Sequence, residues 1–234
     1  MDEEYEDIVE DYEEEEIDEL HEEREKFLRA IYFPLFFLLL MWLVKLLEIA
    51  TEQSFSQWGL LPRTLKGLIG IFTSPFLHSD FKHLFNNSVP IMVLGTAIFY
   101  FYRVVAYRVF LLSYLLTGIC VWIGARDAYH IGASGLVYAF ASFVFFSGII
   151  RGYINLIAIS LLVVFLYGSM IWGIFPIKPD MSWESHLFGG LTGLMLAIYY
   201  RTYGPRRIVY DWEEEEEEEE EENEDEDGYW RERR

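Results

Sequence analysis

Between residues 28 and 210 this chain passes repeatedly through apolar stretches long enough to cross a bilayer, separated by short charged segments. A bilayer core is about 30 Å thick and a helix rises ~1.5 Å per residue, so roughly 20 apolar residues span it. Six candidate spans result: residues 27–47, 81–102, 107–123, a short helix opening at Ser134, 154–175 and 183–200. The expected fold class is therefore an all-α membrane protein with a six-transmembrane-helix bundle. The segment 50–80 is long for a loop and partly apolar, so it is expected to lie folded at the membrane interface.

The formal net charge of -20 argues against a membrane protein until it is located. Residues 1–27 hold 16 of the 38 acids and residues 211–234 hold another 16. The middle, 28–210, has six acids against 13 Lys and Arg. The chain thus divides into an acidic tail (1–27), a membrane domain (28–203) and a second acidic tail (204–234), both tails expected to be disordered. The first 27 residues are acidic where a secretory signal would be basic and then apolar. The single cysteine, Cys120, lies in an apolar run and reads as a small buried hydrophobe.

Positive charge sets the orientation. With the N-terminus inside, nine Lys and Arg (among them Arg24, Arg103, Arg151 and Arg201) face the cytoplasm, and five (Arg63, Lys66, Lys82, Arg126, Lys178) face outward. That bias places both termini in the cytoplasm, with Lys45 narrowing the margin.

Polar groups inside spans are costly and point to function. Helix rise, counted from each span's cytoplasmic arginine, gives their depth. Ser134 stands about 25 Å above Arg151, Asn87 about 24 Å above Arg103, and His186 about 22 Å above Arg201. His83 lies one turn above Asn87 on the same helix face. These groups share one layer in the outer third of the membrane.

A neutral serine hydroxyl is a weak nucleophile, and histidine is the usual base that activates it. Ser134 and His186 supply that pair, and the apolar parts of the spans offer no carboxylate as a third member. Donors for an oxyanion would be the Ser134 backbone N–H, the Asn87 amide and His83. Gly132 and Gly135 flank the serine and permit a tight turn. Gly189 and Gly193 follow His186 on its own face, where small residues allow close helix packing. Tyr138, one turn below Ser134, could stack on the imidazole. Taken singly, the Gly-x-Ser-Gly is also a packing motif and Asn87 also inter-helix glue. His21 reads as solvated, and His78 and His130 as interface anchors or structural residues.

Three motifs in this order resemble the rhomboid family of intramembrane serine proteases. His83-Leu-Phe-Asn-Asn87 is similar to its second-helix motif, Gly132-Ala-Ser134-Gly135-Leu-Val-Tyr138 to its nucleophile motif, and His186-Leu-Phe-Gly189-Gly-Leu-Thr-Gly193 to its histidine helix. The resemblance covers about residues 28–203. It implies a six-helix core holding a Ser134–His186 dyad in a water-filled cavity, and hydrolysis of a peptide bond in or near a substrate's transmembrane segment. It implies no cofactor and no metal. The partners would be membrane-spanning protein substrates and the lipid bilayer, with no nucleic acid. The segment after the first span would be a membrane-embedded loop, and residues 176–183 a flexible cap. The compact core resembles prokaryotic members, which implies a multi-pass protein of a prokaryotic cell membrane. A catalytically inactive relative that binds membrane clients is the alternative, although such relatives typically lack the serine or the histidine.

Overall fold

A computed structural model describes residues 2–166, 170–177 and 181–205. The second acidic tail beyond residue 205, and residues 178–180 of the expected cap, lie outside the described residues. The described chain is helical: α1 (Asp2–Ala50), the one-turn α2 (Gly70–Thr73), α3 (Phe81–Phe101), α4 (Ala106–Gly124), α5 (Ser134–Arg151), α6 (Ile154–Leu166), the one-turn α7 (Met170–Gly173) and α8 (Trp183–Tyr199). Among the described residues, β pairing is limited to an isolated antiparallel bridge between Leu60 and His130.

Among the described residues, four helices are long and apolar enough to cross a membrane: Ile17–Ala50, Phe81–Phe101, Ala106–Gly124 and Ser134–Arg151. The protein is a multi-pass membrane protein. Its outward faces carry large apolar side chains, such as Leu39 and Leu43 on α1, Leu111 and Ile123 on α4, and Leu161 and Phe165 on α6. In lipid these need no cover.

α5 occupies the middle, packed against α3, α4, α6 and α8. Its buried face (Leu136, Phe140, Phe143, Val144) meets Leu84, Ile91, Leu94 and Ile98 of α3 in the main core. α1 crosses α3 closely, where a side chain at Gly95 would come 3.1 Å from the Pro34 ring. Trp42 Nε1 also donates to Ser88 Oγ at 3.0 Å.

One element differs from the sequence expectation. The N-terminal tail, expected to be disordered, continues α1 as helix from Asp2. Helix extension is far easier than nucleation, and the membrane-spanning part supplies the nucleus. Pairs one turn apart then offset the like charges: Lys26 with Glu22 and Glu23, and Arg29 with Glu25. Glu23 also accepts a bond from the Tyr100 hydroxyl, tying this stretch to the end of α3. The expected fifth span, 154–175, is helical over Ile154–Leu166 and Met170–Gly173, and residues 167–169 lie outside the described residues. The last carbonyls of a helical segment have no partner within it. One of them, Gly173 O, is therefore free to accept a bond from another helix.

The segment 51–80 is folded, with turns at Ser56–Trp58, Lys66–Leu68 and Ser74–Phe76. It exposes Leu65, Ile69 and Phe72, as expected of a loop lying in the interface. Arg63 ties it to the loop ahead of α5, donating from Nη1 to Ala125 O at 2.6 Å and pairing with Asp127. The buried Lys45 caps the carbonyls of His78 and Ser79 at 2.9 and 3.1 Å, while its ammonium pairs with Glu48.

Asp80 caps α3, the helix that carries His83 and Asn87, by accepting the His83 N–H at 2.8 Å. That bond, with one from Ser79, holds its carboxyl below the usual range. The cap therefore contributes above the ordinary carboxylate pKa and fades as pH falls through the lowered one. Asp80→Ala is expected to cost about 1 kcal/mol and Asp80→Asn much less, both read by thermal unfolding in detergent.

Candidate active site

Gly132 begins the site. Its φ of +104° lies in the left-handed region, and a Cβ there would come 2.6 Å from the His83 ring and 3.5 Å from Asn87 Nδ2. Only a glycine holds this turn while leaving the ends of His83 and Asn87 against the backbone that leads into the serine. Gly132 N–H donates to Ser74 O at 2.8 Å. Helix α5 opens two residues later at Ser134, so the serine presents its hydroxyl and its backbone N–H at a helix N-terminus.

α8 brings the histidine. His186 is buried, and its Nε2 lies 2.8 Å from Ser134 Oγ. Its Nδ1 lies 2.8 Å from Gly173 O. A carbonyl only accepts, so Nδ1 carries the proton and Nε2 presents its lone pair to the serine hydroxyl. The Tyr138 ring stacks on the imidazole, with centroids 4.2 Å apart and planes 9° from parallel. An imidazole held in this tautomer and orientation is able to take the serine proton.

The approach of α8 to α5 depends on glycine. A Cβ at Gly189 would sit 2.1 Å from Gly135 O, and one at Gly193 2.1 Å from Ala139 O. A Cβ at Gly135 would meet Thr117 Cγ2 at 3.0 Å and Ser185 O at 3.1 Å. Glu184 is buried but turned away from the histidine, with Oε1 3.6 Å from Arg126 Nε.

On the other side, Asn87 Nδ2 is buried with no hydrogen-bond partner among the described residues, so it is available to a ligand. His83 Nδ1 lies 3.3 Å from Ser79 Oγ. That hydroxyl already donates to Asp80 Oδ2 at 2.8 Å, so it accepts from His83. The neutral His83 ring then has a lone pair at Nε2 and donates there only as an imidazolium. His78 packs edge-on against His83, with ring centroids 5.0 Å apart.

A cavity of about 30 Å³ adjoins the serine turn, bounded by Gly132, Gly135, Ser185, Ser113 and Thr117 among others. The hydroxyls of Ser113 and Thr117 are buried without a partner among the described residues. A cavity of this size, with hydroxyls on its wall, is large enough for a water molecule.

The Gly173 carbonyl, the Ser113 and Thr117 hydroxyls and the His130 contacts described below carry no sequence signal. A backbone oxygen has no residue type, and two hydroxyls one turn apart on a spanning helix read as helix packing.

The family description Rhomboid domain matches residues 65–203. An uncharacterized protein of Mycobacterium bovis is 30% identical over 178 residues, covering 69% of this chain and 71% of its own length. An uncharacterized protein of Mycobacterium tuberculosis matches to the same extent. One from Mycobacterium leprae is 30% identical over 174 residues, covering 69% of this chain and 67% of its own.

Proposed function

This chain belongs to the rhomboid family, and on that premise we propose that it is an intramembrane serine endopeptidase that cleaves transmembrane proteins with a Ser134–His186 dyad. One observation carries the reading: Ser134 Oγ sits 2.8 Å from a histidine nitrogen whose ring is oriented by a backbone carbonyl on its other side.

The reaction follows from the geometry. His186 Nε2 takes the Ser134 proton as Oγ attacks the carbonyl carbon of the scissile peptide bond. The oxyanion is met by the Asn87 amide and the Ser134 backbone N–H. His83 adds a donor when its ring is doubly protonated. The intermediate collapses, the C–N bond breaks, and the imidazolium returns its proton to the leaving amine. A water molecule, deprotonated by His186, then attacks the acyl-enzyme and releases the acid. The cavity beside Ser113 and Thr117 is suited to supply that water inside an apolar domain. The Gly173 carbonyl takes the place of an orienting carboxylate, so the imidazolium is held without a buried negative charge. Gly132, Gly135, Gly189, Gly193 and Tyr138 serve by letting the backbones approach and by holding the ring.

In this reading residues 28–203 form the catalytic domain with six membrane crossings, α6 with α7 making the fifth and α8 the sixth. Both termini lie in the cytoplasm, following the positive-charge bias. The site opens to the outer face.

Purified protein reconstituted in liposomes with a panel of single-span substrates tests the proposal. Mass spectrometry is expected to find two products whose new ends lie in or near the span. Substrates that co-purify intact, with no cleavage, would instead favour an inactive client-binding protein.

A further inference from the structure

His130, which the catalytic reading leaves unused, is buried at a junction of three elements. Its main chain pairs with Leu60 in both directions, at 3.0 and 2.8 Å, fixing it to the segment 51–80. Its Nε2 lies 3.1 Å from Arg126 O within its own loop. Its Nδ1 contacts Ser182 Oγ at the start of α8. Burial pushes its pKa below the ordinary imidazole value, so the ring is neutral near pH 7.

The proton directions then follow. Arg126 O only accepts, so Nε2 carries the hydrogen and Nδ1 accepts from Ser182. Ser182 and Ser185 hydroxyls are 2.6 Å apart, and Ser182 has spent its hydrogen on His130, so Ser185 donates to Ser182. The bonds form one chain: Ser185 to Ser182 to His130, and His130 to the Arg126 carbonyl.

Ser182 holds the N-cap position of α8, where a serine hydroxyl ordinarily accepts a helix N–H. It makes no such bond here. The hydroxyl faces the loop that leads to the nucleophile instead. A second strap runs beside it. Arg126 Nη2 donates to Met181 O at 2.7 Å, and the Arg126 backbone N–H donates to Glu184 Oε1 at 3.4 Å. His130 precedes Ser134 by one helical turn's worth of chain, and Ser185 is the neighbour of His186. The chain therefore joins the approach to the nucleophile with the first turn of the helix carrying its base.

We propose that His130 is a positioning residue that, through Ser182 and Ser185, sets His186 at hydrogen-bond distance from Ser134. The inference rests on the protease reading.

Cleavage kinetics of wild type, His130→Ala, His130→Asn, Ser182→Ala and the double alanine variant test it. A misplaced base is expected to lower kcat by ~10-fold or more with KM little changed. The asparagine side chain keeps an acceptor where the imidazole Nδ1 stood, so His130→Asn is expected to recover most of the loss. Ser182→Ala should match His130→Ala, and the double variant should be no worse than either. Wild-type kcat in the single variants, losses that multiply, or an asparagine no better than alanine would overturn the proposal. If His130→Ala fails to fold, Ser182→Ala decides alone, because α8 loses no cap with it. Ring ¹⁵N resonances of His186 in histidine-labelled protein give a readout that does not need turnover. They should move in both single variants, and unmoved resonances would refute the yoke. A wild type that does not cleave while these resonances move would remove the protease reading and leave the positioning intact.

Discussion

Ser134→Ala is expected to lower cleavage of a transmembrane substrate by roughly 10⁴-fold, and His186→Ala by a comparable factor. Without the hydroxyl no acyl-enzyme forms. Without the imidazole the hydroxyl stays protonated, since its partner is His186 Nε2 and the other histidine bordering the serine turn, His83, faces Gly132 instead. The two groups work as a unit, so the double variant is expected to be no worse than the poorer single one. Both variants should fold. Ser134→Ala removes one neutral hydrogen bond, worth about 1 kcal/mol, and leaves the backbone of α5 untouched. Progress curves on a reconstituted substrate, beside thermal unfolding of the same preparations, check both halves of the expectation.

Gly189→Ala is expected to damage stability and activity together. The added methyl would stand 2.1 Å from Gly135 O, 3.0 Å from Gly135 C and 3.3 Å from Ala139 N. All three are backbone atoms of α5, so no side chain can swing aside. α8 must retreat, and His186, one turn earlier on the same helix, retreats with it. Overpacking in cores costs about 1–3 kcal/mol, and contact against main chain puts this case at the upper end or beyond. A shift of about 1 Å in the base is enough to cost ~10²-fold in rate. Gly190 is the control, since a methyl there meets nothing within 4 Å. Gly190→Ala should therefore keep both unfolding temperature and activity. Equal effects of the two substitutions would mean that α5 and α8 do not pack through Gly189.

The four long spans were legible in the sequence because each is an apolar run bounded by charges that cannot enter lipid. That Ser134, Asn87 and His186 come together was legible for a related reason: an arginine stands at one end of each helix or just past it, and counting rise per residue from it puts the three at one level. The spacing of Gly189 and Gly193 after His186 pointed to the face on which α8 meets α5. What the sequence hid follows from other physics. The N-terminal like charges argued against all but a marginal helix, but α1 needs no fresh nucleus there, and Lys26 and Arg29 find partners one turn away. Gly173 O is the partner of His186 Nδ1 because it ends a helical turn, and a backbone carbonyl is invisible to any reading of residue types. His130 read as an interface anchor or a structural residue with no partner named, because Leu60, Arg126 and Ser182 are brought together only by the fold.

The most direct test of the central claim is labelling of the purified, folded protein by a fluorophosphonate probe, with Ser134→Ala and His186→Ala alongside. A serine activated by His186 predicts labelling of wild type, located at Ser134 by peptide mass, and none in either variant. Absence of labelling in a demonstrably folded wild type, or undiminished labelling of His186→Ala, would contradict it.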